Sequence, residues 1–158
     1  LSNQSIYKIT TTDKGYTFIT DLGLEYQAYF IEGGYMLPVP ELSAYVRIFG
    51  FAVSNTPIKF KYDCKVKNTL FYILKAVITE NPQTIISFTC DTTSSLDRHR
   101  KITFSQWYNT SHEKSELEKI DKTINGVYGS LLFRTDHPFK EKIYASIPEL
   151  EDLLFEDK

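Results

Sequence analysis

Along the first third of the chain, apolar and polar positions alternate with a period of two, the spacing of strands with one buried face. Ile6–Thr10 and Tyr16–Thr20 flank the turn signal Asp13-Lys14-Gly15 and predict a hairpin. Asp21-Leu22-Gly23 is a second turn, and a third strand is expected from Glu25 to Ile31, with Tyr26, Ala28 and Phe30 on one side. Gly33-Gly34, Pro38 and Pro40 mark a loop. Tyr45–Val53 then reads as a strong fourth strand, with Gly50 placed for a bulge.

The period then changes. Asp63 is a good N-cap, and Val66, Leu70, Ile73, Leu74, Val77 and Ile78 recur at helical spacing until Asn81-Pro82 ends the run. Ile85–Cys90 predicts a short central strand. Ser94-Ser95-Leu96-Asp97 opens a second helix to about Tyr108. Asn109–Lys122 is polar, with a weak helix expected near Glu113–Lys119. Gly126–Arg134 reads as the last strand, and Asp136-His137-Pro138 starts a final helix that Pro148 kinks or splits. The expected class is α+β: a single domain over residues 1–158, with an antiparallel or mixed sheet of about six strands and two to three packed helices.

Composition narrows the partners. Eighteen basic against 20 acidic residues, a net charge of −2, give no bulk positive field for nucleic acid. The apolar runs are too short to span a membrane, and a cytoplasmic location is expected. The chain opens on Leu1 instead of Met, so a removed leader stays open. Cys64 and Cys90 lack metal spacing and read as reduced, buried thiols, with a bridge between them left open. His99, His112 and His137 are scattered, so no metal site is expected. No Gly-x-Ser-x-Gly elbow supports a hydrolase. The 11 Tyr and 11 Phe are unusually many, and Tyr7, Tyr16, Tyr26, Tyr29, Tyr35 and Tyr45 are expected to pack across the sheet.

Four strands, helix, strand, helix, strand, helix is an order similar to the later part of the GNAT acyltransferase fold. In that family an Arg/Gln-x-x-Gly-x-Gly/Ala loop after the fourth strand holds the pyrophosphate of acetyl-CoA at a helix N-terminus. The corresponding stretch here, Lys59 to Asn68, carries no glycine. A second resemblance is more local. Cys90-Asp91, Arg100, Phe104, Trp107 and Tyr108 look like the Cys-Asp, Arg, Phe-x-x-Trp-aromatic pattern of an uncharacterised, mostly Bacteroidetes family. It covers residues 63–108 best and implies no activity.

Two clusters are candidates for chemistry. Lys59, Lys61, Lys65 and Lys67, with Asn68, surround the start of the first long helix, where cations oppose the macrodipole unless an anion sits there. The plainer reading is a solvated basic edge. Asp91 ends the fifth strand, and Asp97, Arg98, His99 and Arg100 start the next helix; such a group could bind an anion. The plainer reading is capping, with Arg100 paired to Asp91 or Asp97 and Trp107 in the core. The first functional expectation is a non-catalytic domain that binds a protein or a small anionic ligand, without a cofactor, through Lys61, Lys65, Lys67, Asn68, Asp91, Arg98 and Arg100. The alternative is an acyl-CoA-dependent N-acyltransferase that uses acetyl-CoA through an atypical phosphate loop, its catalytic residues unassigned.

Overall fold

A computed structural model describes residues 5–37, 39–54, 63–91, 116–124 and 127–147, with backbone alone at 89–91, 122–124 and 127–128. The elements, in chain order, are β1 (Thr10–Thr12), β2 (Gly15–Ile19), β3 (Glu25–Glu32), a 3-10 turn at Gly34–Met36 and α1 (Pro40–Ser43). Then come β4 (Val46–Val53), α2 (Cys64–Glu80), β5 (Ile85–Asp91), β6 (Leu117–Ile124) and β7 (Val127–Arg134). A third helix, α3, occupies 140–147. The α+β expectation holds: the strands form one mixed sheet of seven, in the order β1-β2-β3-β4-β5-β7-β6.

All neighbours are antiparallel except β4 and β5, which α2 connects as a parallel crossover. The β6–β7 hairpin returns its apolar arm to the inside. Leu131, Leu132 and Phe133 bury β7 between β5 and β6, while β6, with Glu118 and Asp121, takes the edge.

The sheet separates two cores. On one face α2 lays Val66, Leu70, Phe71, Ile73, Leu74 and Ile78 against Phe18, Tyr26, Ala28, Phe49, Ile86, Phe88 and Leu132. On the other, Leu37 and Leu42 from the α1 region and Ile143 from α3 meet Val46, Ile85, Leu131 and Phe133. Each fully buried Leu, Ile or Phe removes its side chain from water for about 1.5–3 kcal/mol.

Several expectations are corrected. The first strand is β1, and residues 6–9 leave the sheet to run beside α2, because Tyr7 finds its partners there. Gly50 is no bulge: it pairs directly with Tyr29 in an unbroken ladder. Residues 117–124 form a strand, which replaces the end of the weak helix expected over 113–119 and brings the strands to seven; Leu117 and Ile120 point to opposite faces and meet the two different cores. Cys64 is an exposed, free thiol, because it opens α2 on the solvent side. Tyr7 and Tyr26 are buried, Tyr29 packs at the rim across Gly50 of the neighbouring strand, and Tyr35 is exposed. The second expected helix, with Arg98, Arg100 and Trp107, lies outside the described residues, as does Lys61.

Candidate functional site

The first candidate is the N-terminus of α2, where the sequence places a basic anion site. Asp63 stands at the N-cap in an extended conformation, and its Oδ1 accepts from the Lys65 N–H at 2.9 Å. The other oxygen, Oδ2, accepts from the Tyr7 hydroxyl at 2.6 Å. Tyr7 arrives from the N-terminal segment, its ring stacked on Phe18 at 5.9 Å, with Phe18 stacked in turn on Tyr26 at 5.1 Å. Its hydroxyl also accepts from the Asp21 N–H at 3.3 Å. The Tyr7 N–H donates to Thr69 Oγ1 at 2.9 Å, and that hydroxyl donates to the Lys65 carbonyl at 2.6 Å. Burial, with the Asp63 carboxylate next, pushes the Tyr7 phenol up to about 12.

The predicted basic residues serve this clamp. Lys65 lays its ammonium 4.3 Å from the centre of the Tyr7 ring, and Asn68 Nδ2 donates to the Ser5 carbonyl at 3.3 Å. Lys67 is half-buried on the same turn. Asp91 ends β5 opposite Val127, but its side chain, like Lys61, Arg98 and Arg100, lies outside what is described. The structure thus joins Lys65 and Asn68 to residues 5–9. Sequence reasoning missed Tyr7 and Thr69, since a partner 56 residues away leaves no local signal.

Magnitudes decide what this terminus can hold. An anion at a helix N-terminus gains about 0.3–1 kcal/mol, and up to about 2 when partly buried. A phosphate charge about 4 Å from the Asp63 carboxylate would be repelled by about 4 kcal/mol at an effective dielectric of 20. Repulsion wins.

The second candidate is the seam between β4 and β5. Their pairing runs only Val46↔Ile85, Arg47↔Ile86 and Ile48↔Ser87. Beyond it β4 continues along β3 to Val53, and β5 continues along β7 to Asp91, so the two part toward their C-terminal ends. On the α2 face three rings stand at the parting. Phe49 and Phe88 lie 6.2 Å apart, and Phe51 and Phe88 stack at 6.5 Å.

A third feature is a cavity of about 300 Å³ between the end of α2 and the outer ends of β6 and β7. Its charges pair with one another: Lys75 with Glu116 at 3.4 Å, and Arg134 with Asp136 through two bonds of 2.7 and 2.9 Å. The Arg134 guanidinium holds the Asp136 carboxyl below its ordinary value. No group of three or more His, Cys, Asp and Glu among the described residues is placed to hold a metal. No helix among them is long and apolar enough to cross a membrane.

The fourth feature is a surface. Among the described residues, α1 and α3 cover the second face of the sheet over β4, β5, β7 and β6. Over β1–β3 and the outer part of β4 no described element covers that face, and it exposes Ile19 (63%), Ile31 (53%) and Tyr29 (39%). The Tyr29 ring lies flat across its neighbour Gly50, where any Cβ would overlap it. Comparison with family models, curated proteins and solved structures gives no match to this chain.

Proposed function

We propose that the chain is a non-catalytic binding domain with an acyltransferase-like layout, which docks a protein through the part of the sheet face that no described element covers. The observation that carries this reading is the α2 N-terminus, where the Asp63 carboxylate, held by Tyr7, stands where a cofactor phosphate would have to sit. The layout rests on the strand order and on the single parallel pair that parts after three residues. A cytoplasmic location fits the free Cys64 thiol. Kinship of residues 63–108 with the Bacteroidetes pattern remains part of the proposal and brings no activity with it.

The second reading, an acyl-CoA-dependent N-acyltransferase, is favoured by one observation, the parted β4–β5 seam, into which an extended cofactor arm would fit. A thermal shift with acetyl-CoA separates the two. A ligand at 100 times its dissociation constant stabilises by about 2.7 kcal/mol, worth several degrees for a domain of this size. The binding-domain reading expects no shift at millimolar acetyl-CoA. A shift, or release of free CoA with an amine acceptor, would establish the enzyme instead.

A further inference from the structure

We infer that the face of β1–β4 that no described element covers docks a second copy of this chain, sheet against sheet. The inference rests on the reading of that face as the binding surface and names its occupant.

Charge is the first argument. Of the side chains that β1–β4 turn to the uncovered part of this face, Glu25 alone is charged, at the far end of β3. The others are threonine, isoleucine, glutamine, tyrosine, glycine and alanine, in a chain where 24% of residues are charged. A face so depleted of charge matches itself: two copies, each of net charge −2, can meet on it without placing like charges together. Two antiparallel sheets stack about 10 Å apart with strands within about 30°; on this surface Tyr29 and Ile31 are neighbours on one side of β3, and Ile19 stands opposite Glu25 at the other end.

Area is the second. Four strands of these lengths at standard spacing and rise cover about 400 Å² in projection. Protruding Tyr and Ile side chains enlarge the accessible surface, so a two-fold contact removes close to the roughly 1,000 Å² at which specific interfaces begin. The expected dimer is therefore weak, with a dissociation constant of tens of micromolar.

Sedimentation velocity on the full chain, from about 2 to about 200 µM, tests this. Wild type should move from monomer to dimer within that range. Ile31→Lys and Ile19→Lys alter exposed positions and leave both cores intact, so each should fold and weaken the dimer at least tenfold. Far-UV circular dichroism checks that they fold. A wild type that stays monomeric at about 200 µM overturns the inference, as does a dimer that neither lysine weakens. A wild-type monomer that dimerises once residues 148–158 are removed overturns it in favour of the chain's own end, with its Leu150, Leu153 and Leu154, as the cover. Failure of the binding-domain reading shows elsewhere, as acetyl-CoA binding or turnover, so the two failures cannot be confused.

Discussion

The hydroxyl of Tyr7 donates to the carboxylate of Asp63 at 2.6 Å, joining the N-terminal segment to the first turn of α2. One carboxylate therefore does two jobs: it caps the helix through Oδ1 and anchors a tyrosine through Oδ2. Lys65 lies over the same ring, its ammonium 4.3 Å from the ring centre.

Removing the phenol oxygen should be felt. Tyr7→Phe keeps the stack on Phe18 but deletes a bond to an ionised acceptor, which costs about 1.5–3 kcal/mol in urea unfolding. Asp63→Ala should cost about 1 kcal/mol for the cap plus the same Tyr7 bond. The two substitutions share that bond, so a double-mutant cycle should show coupling of about 1 kcal/mol or more. Strict additivity would mean that the contact contributes nothing.

The same residue sets an alkaline limit. The folded chain holds the Tyr7 proton up to about 12, whereas an ordinary tyrosine releases it at 10.0. A raised folded value means that the contribution is complete below pH 10 and is lost as pH climbs toward 12. Thermal melts across this window should fall for wild type and fall less for Tyr7→Phe. Part of the slope should persist, because burial and the Asp63 charge raise Tyr26 as well.

Two glycines should respond differently to alanine. Gly15 has φ +145°, and a Cβ there would overlap the Ala28 carbonyl of the paired strand, which cannot swing aside. Gly15→Ala should cost about 1–3 kcal/mol. Gly50→Ala meets only the far end of the Tyr29 side chain, which is free to rotate, and should cost less than about 1 kcal/mol. Equal losses at the two sites would show that the Tyr29 ring is held in place.

Ser130 offers a stabilising change. Its hydroxyl is buried on the α2 face of β7 and has no hydrogen-bond partner among the described residues. An unsatisfied buried group costs about 1–3 kcal/mol, so Ser130→Ala should be neutral or raise stability in denaturant unfolding. A loss of more than about 1 kcal/mol would reveal a bond that the hydroxyl makes.

Much of this architecture is legible residue by residue. The alternation of Tyr16, Phe18, Tyr26 and Ala28 marks β2 and β3, and their register then buries Phe18 against Tyr26. Helical spacing from Val66 to Ile78 marks α2, and Asp63 marks its start, because caps and periodicity are local physics. β6 is harder to read: its two faces meet different cores, so its apolar residues do not share one parity. At the candidate site the lysines and Asn68 are legible as a basic cluster, but their use is not, since Lys65 turns to a ring that arrives from residue 7.

The sequence by itself determined the strands β2–β5, the helix α2 and its cap, for each depends on neighbours within a few positions. Only the tertiary structure decided that β7 lies inside β6, that β4 and β5 part after three pairs, and that no described element covers half of one sheet face. Those outcomes depend on which distant surfaces cover one another. A β-strand carries the same alternation whether its second face meets a helix, another chain or water.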